Sequence, residues 1–217
     1  MLDIYQKTLS KNVTFSGIGL HSGKNCSICI IPAKEDQGIV FKRIDLKKNN
    51  TIKANYKNVS SARLCTTLEN NYGVRVSTVE HLLAALYITG IDNALVEIDN
   101  EEVPIMDGSS EDFIKVLKKI NLIDQFKKRK YLKITNKVEL IDGKRKISIE
   151  PNQLSLEVNF QLDYKNSYFY HVRYLCLTLT QYQMDNLFYV YDESQKFYLK
   201  NFFQDRKQLF LLDTLKD

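Results

Sequence analysis

The placement of glycine constrains this chain more than any other feature. All eight glycines lie at or before Gly143, and residues 144–217 contain none. Glycine enters tight turns and left-handed backbone at little steric cost, so its positions mark where a chain can reverse direction. The first part of the chain therefore has the punctuation of short strands and helices. The last part lacks it and is aromatic instead: fifteen Phe and Tyr residues fall between Phe160 and Phe210, in clusters such as Tyr168-Phe169-Tyr170 and Phe202-Phe203.

Residues 6–15 alternate polar and apolar side chains. Gly17-Ile18-Gly19-Leu20-His21-Ser22-Gly23 then supplies three glycines in seven positions, and residues 25–32 and 38–43 resume β-type runs. That order predicts a meander or hairpin opening. Ser77-Thr78-Val79-Glu80 is a capping-box pattern, and Leu82, Leu83, Ala85 and Leu86 follow at helical spacing up to Gly90. A helix over about 78–89 is predicted, with Gly90 as its stop. Residues 94–98 form an apolar strand. Pro104-Ile105-Met106-Asp107-Gly108-Ser109-Ser110 then makes a turn that caps a second helix, with Phe113, Ile114, Leu117 and Ile120 on one face.

The run Lys127-Lys128-Arg129-Lys130 has the composition of a solvated linker. Residues 131–135, 137–141, 146–150 and 154–161 read as strands, with Asp142-Gly143 as a hairpin turn. The expected organisation is a first α+β domain over 1–126 and a second, partial or degenerate one over 131–217.

Composition excludes several classes. With 217 residues, 44% hydrophobic and 26% charged, the chain is long enough to bury roughly 70% of its unfolded surface without disulfides or structural metals. The net charge of +5 is scattered, and no zinc-finger spacing or aromatic–arginine strand pattern accompanies it, so no nucleic-acid partner is expected. No apolar stretch reaches the roughly 20 residues of a membrane span, and the N-terminal residues lack the features of a signal peptide, so a cytoplasmic protein without stable membrane insertion is expected. Cys26, Cys29, Cys65 and Cys176 are too few and too irregular for a disulfide framework. Cys26 and Cys29 have C-x-x-C spacing, but positions i and i+3 of a strand face opposite sides, which favours packing over metal binding.

The chain holds three histidines, His21, His81 and His171. Glu80-His81 opens the predicted helix, where a carboxylate gains from the helix dipole. The pair has two readings: a general base beside a metal ligand, or a capping-box glutamate beside a partly buried polar residue. No H-E-x-x-H is present. His21 sits in the glycine-rich turn, where backbone can approach a ligand closely, although a solvated loop histidine also fits. These glycines lack the Lys-Ser/Thr of a Walker motif.

Four strings come in the order and spacing of one family: Gly17-Ile18-Gly19-Leu20-His21-Ser22-Gly23-Lys24; Leu64-Cys65-Thr66-Thr67; Ser77-Thr78-Val79-Glu80-His81-Leu82; and Val103-Pro104-Ile105-Met106-Asp107-Gly108-Ser109. Together they resemble the UDP-3-O-acyl-N-acetylglucosamine deacetylases, zinc enzymes of lipid A synthesis in Gram-negative bacteria. The likeness is dense over residues 5–125, thinner to about Tyr164, and not evident after it. It implies an α+β fold of two similar domains, each a β-sheet with a helix pair, the helices sandwiched between the sheets. It further implies Glu80 as general base on a zinc-bound water, His81 as a Zn2+ ligand, and Leu64, Cys65, His21 and Asp107 beside the UDP-3-O-acyl-N-acetylglucosamine substrate.

The departure lies in the second domain. The family takes its other two zinc ligands from a His-Lys-x-x-Asp helix and a proton donor from a later histidine, and this sequence contains neither; Leu209 stands four residues before Asp213, and His171 is the one histidine after His81. The expectation is a chain with one zinc ligand, of doubtful hydrolytic competence, whose aromatic tail fits a frameshift or stop near residue 165 in an AT-rich gene. The alternative is a non-catalytic remnant that binds substrate or a partner. A basic nucleic-acid or lipid-surface binder rests on net charge alone.

Overall fold

The computed structural model describes residues 4–151, 156–160, 175–179, 188–193 and 196–201. The chain divides into two units, Met1–Lys130 and Tyr131–Asp217. The first contains strands β1 (Tyr5–Leu9), β2 (Val13–Ile18), β3 (Asn25–Pro32), β4 (Ile39–Arg43), β5 (Thr51–Lys53), β6 (Val59–Ser61), β7 (Thr67–Glu69) and β8 (Arg75–Val76), helix α1 (Glu80–Ile88), strand β9 (Ala94–Ile98), helix α2 (Glu111–Leu117) and strand β10 (Leu122–Lys128). Helices and separate sheets in one chain make the class α+β.

A five-stranded sheet runs in the order β2-β3-β9-β4-β5, with β4 parallel to β9 and the other pairs antiparallel. Its register aligns Val13 with Ile30, Ile30 with Val96, Val96 with Phe41 and Phe41 with Ile52. All five side chains are buried, so one row of the sheet is a continuous apolar stripe. Each such side chain contributes on the order of 1.5–3 kcal/mol. Period-2 burial along β2 and β3 leaves Thr14 and Ser16 exposed, and this alternation makes the register unambiguous. Helix α2 packs on this layer through Phe113, whose ring meets Phe15 edge-on at 4.9 Å between centroids. Helices α1 and α2 pack against each other, burying Leu82, Ala85 and Leu86 on one and Phe113, Ile114 and Leu117 on the other.

Several sequence expectations change here. The alternating run 6–15 is two strands in different sheets: β1 pairs with β10, whereas β2 pairs with β3 across the glycine-rich hairpin. The first helix starts at Glu80, because Thr78 takes a left-handed backbone (φ 56°) that no helix continues through. The capping box does not form. The Ser77 hydroxyl donates to the Glu101 carbonyl (3.1 Å), and the Glu80 carboxylate turns to another loop. Gly90 does stop the helix: it has φ 79°, and the Ile91 N–H donates back to the Leu86 carbonyl (2.9 Å), as in a Schellman ending.

The basic run 127–130 is no linker, since β10 extends through Lys128 against β1. Beyond it, the Arg129 guanidinium pairs with Asp92 (2.8 Å) and donates to the Gly90 carbonyl (2.8 Å), and Lys127 reaches Asp36 (3.3 Å). Charge there fastens the end of α1 through Arg129 and the loop at Asp36 through Lys127, rather than solvating a spacer.

In the second unit, β11 (Val138–Asp142) and β12 (Arg145–Ile149) form an antiparallel hairpin whose turn is Gly143-Lys144, Gly143 having φ 59°. Residues 131–135, expected as a strand, are irregular. Strands β13 (Leu156–Phe160) and β14 (Leu175–Leu179) pair antiparallel, as do β15 (Phe188–Glu193) and β16 (Lys196–Asn201). His171, Leu209, Asp213 and most of the expected reading-frame break lie outside the described residues.

Candidate active site

Two loops meet the turn that starts α1, and a third docks on one of them. The strained Thr78 redirects the chain, so that Glu80 and His81 begin a new helix at the point where Ser77 leaves a parallel bridge with Glu102. Both Glu80 and His81 are half-buried. The loop between β6 and β7 is stitched to this turn twice: the Thr66 N–H donates to Glu80 Oε2 (3.0 Å), and the Val79 N–H donates to the Thr66 carbonyl (3.4 Å). The expected neighbours Leu64 and Cys65 are thereby brought beside Glu80. Leu64 has a left-handed backbone (φ 69°) and is 85% exposed, an unusual place for a large apolar side chain. Cys65 is half-buried, with its Sγ 3.8 Å from Thr67 Oγ1.

The glycine-rich hairpin is the second loop, and a buried carboxylate joins it to α1. Glu102 is 1% exposed. Its Oε1 accepts from the His21 N–H (2.9 Å) and from the Thr78 hydroxyl (2.9 Å), and its Oε2 accepts from the Ser22 N–H (2.8 Å). Burial pushes this carboxyl up, but bonds from the Ser22 side chain, the His21 and Ser22 N–H groups and the Thr78 hydroxyl outweigh it, and it is held below the usual carboxylate range. His21 itself is exposed.

The third loop, ahead of α2, docks on the hairpin where the Ile105 N–H donates to the Ile18 carbonyl (3.0 Å). Asp107 is exposed, and its Oδ1 accepts from the Ser109 N–H (3.0 Å) and hydroxyl (2.8 Å). The Ser109 hydroxyl then accepts from the Glu111 N–H (3.0 Å), so the side-chain bond at the start of α2 comes from Ser109 while the N-cap residue Ser110 makes none.

Glu102, Thr78 and Gly19 escape a sequence reading. A glutamate in Asp99-Asn100-Glu101-Glu102-Val103-Pro104 reads as solvated, and nothing in that polar run marks it for burial.

A catalytic zinc needs about three protein donors and an open position. Among the described residues no group of three His, Cys, Asp or Glu side chains is placed to hold a metal ion, and His81 is a single donor. The described residues do not fit a zinc centre.

The first unit, α+β in class, thus places Glu80 and His81 at a helix start beside the loop that carries Leu64 and Cys65. Residues 6–186 match the family model of LpxC, the UDP-3-O-acyl N-acetylglycosamine deacetylases, and the chain belongs to this family. The match continues past Tyr164, where the four quoted motifs no longer help. A UDP-3-O-acyl-N-acetylglucosamine deacetylase of Shewanella frigidimarina (strain NCIMB 400) is 42% identical over 161 residues, covering 74% of this chain and 52% of its own length. One from Geobacter sp. (strain M21) is 44% identical with the same coverage. The chain spans about half the length of the curated relatives it matches.

Proposed function

We propose that this chain carries the base-bearing, substrate-facing portion of a hydrolase that releases acetate from UDP-3-O-acyl-N-acetylglucosamine. Family membership supports the substrate class, and the observation that carries the assignment of roles is the Thr66 N–H donating to Glu80 Oε2. It aims the carboxylate at the loop holding Leu64 and Cys65. A carboxylate has about four lone-pair sites, so a carboxylate that accepts this bond retains capacity to accept a water proton. Glu80 then takes that proton while the water oxygen attacks the acetamide carbonyl carbon. The C–N bond breaks, the amine receives the proton, and acetate leaves.

His81 is proposed as one donor of the Zn2+ site that the family resemblance implies, and Leu64, Cys65, His21 and Asp107 as groups near the sugar. No step is drawn through the metal. A cytoplasmic setting is part of the same proposal. Among the described residues no helix is long and apolar enough to cross a membrane.

A second reading, a chain that binds the UDP-acyl-sugar or a partner without hydrolysing it, rests on the described residues holding no group of three His, Cys, Asp or Glu placed for a metal ion. Acetate release and calorimetric binding of the UDP-acyl-sugar, with and without added zinc, separate the two. Acetate release lost in Glu80→Ala with binding retained supports the base. Wild-type binding without release establishes the second reading, and turnover that survives Glu80→Ala removes Glu80 from the mechanism.

A further inference from the structure

The buried carboxylate of Glu102 is used by nothing in the proposed chemistry, yet it is the least expected group in the first unit. A fully desolvated carboxylate is costly unless its lone pairs are matched. Here they are matched by donors from two separate loops, the His21–Ser22 turn and Thr78. If the position needed only packing, an apolar side chain would serve with less desolvation.

Thr78 supplies the second observation. A β-branched residue at φ 56° is strained, and such strain persists where surrounding contacts over-determine it. Two contacts hold it: the parallel bridge of Ser77 with Glu102, and the bond from the Thr78 hydroxyl to the Glu102 carboxylate. Two residues later the chain places Glu80, and then His81. Gly19 completes the arrangement, since a Cβ built there would meet Glu102 Cδ at 2.8 Å and would crowd the carboxylate oxygen more closely still.

We propose that Glu102 is a positioning residue, which locks the His21 turn and the Thr78 turn into one arrangement and so sets the direction of Glu80 and His81. The proposal rests on the reading of Glu80 and His81 as site residues. Glu102 acts through Thr78 and the hairpin backbone and touches no substrate atom.

The test uses the full chain and reads histidine ring signals by NMR, which three histidines make assignable. Thr78→Val removes the hydroxyl while keeping β-branching, so backbone strain is matched. The expected result is a folded protein whose His81 and His21 ring signals are displaced beyond the linewidth, with Thr78→Ser returning them. A purely structural role lowers the melting temperature and leaves those signals in place below it, and that result overturns the proposal. Glu102→Gln, which sets an amide N–H2 against N–H donors, is expected to displace the same two signals; should it fail to fold, Thr78→Val decides alone. Titration of the wild type with UDP-3-O-acyl-N-acetylglucosamine separates the two ideas. A wild-type His81 signal indifferent to this compound counts against the functional reading, whereas unmoved rings in Thr78→Val with wild-type binding intact count against positioning only.

Discussion

Gly19→Ala tests the packing of the glycine-rich hairpin against Glu102. The backbone of Gly19 is not in the left-handed region, so alanine meets no conformational penalty, and any cost is a clash. The new Cβ would contact Glu102 Cδ at 2.8 Å, well inside an ordinary carbon–carbon contact, besides Glu102 Oε2 and Ser22 Oγ. The Ser22 hydroxyl can rotate away. The carboxylate cannot retreat without stretching its bonds to His21, Ser22 or Thr78. Either the hairpin stays overpacked, at about 1–3 kcal/mol, or one hydrogen bond to a charged acceptor is lost, at about 1.5–3 kcal/mol. The chain takes the cheaper route, so about 2 kcal/mol is expected. Gly23→Ala is the control: Gly23 has φ 65° with nothing within 4 Å of a Cβ, so it costs only the left-handed penalty, about 1 kcal/mol. Urea denaturation followed by circular dichroism measures both. The decisive arm is a double-mutant cycle with Glu102→Asp, which shortens the side chain and makes room. Non-additivity of about 1 kcal/mol or more is expected. Additive effects, or a Gly19→Ala cost below about 0.5 kcal/mol, would refute the idea that a fixed carboxylate occupies that space.

Acid stability and thiol reactivity follow from the same geometry. Glu102 and Asp45 titrate below the usual carboxylate range when folded, Glu102 because its donors outweigh burial and Asp45 chiefly because Arg43 donates to it. The unfolded chain thus binds protons first as pH falls below about 4.3; the stability these groups contribute is full above that value and lost as pH drops through their folded values. The urea midpoint should fall as pH drops below about 4.3, and Glu102→Gln should flatten that slope; an unchanged slope contradicts the assignment. Cys26 is buried, and desolvation, with help from Asp99 and Glu102, pushes its thiol up to about 12. Iodoacetamide at about pH 8.5, near the free-thiol value, should leave Cys26 unmodified until urea is added, and rapid native labelling by mass spectrometry would contradict its burial.

Local patterns carried much of the fold. Strand β9, strand β3, the stop at Gly90 and the hairpin at Gly143 are readable because each depends on a few neighbouring residues: alternation, an apolar run, or one glycine with positive φ. The Glu80-His81 pair is also visible, since motif order survives without coordinates of any partner. The basic run 127–130 misleads because lysines look alike in a linker and on a strand whose partner, β1, lies more than a hundred residues earlier.

Sequence alone determined the α+β class and the family, because these depend on residue type and spacing. Only the tertiary structure decided what Glu80 does with its carboxylate. Within the local chain it would cap its own helix, but the left-handed Thr78 breaks the capping geometry and Thr66, fourteen residues earlier, claims the oxygen. Glu102 is the same lesson at longer range. Its burial is tolerable because donors from position 21, 22 and 78 arrive together, and no local pattern can announce that meeting.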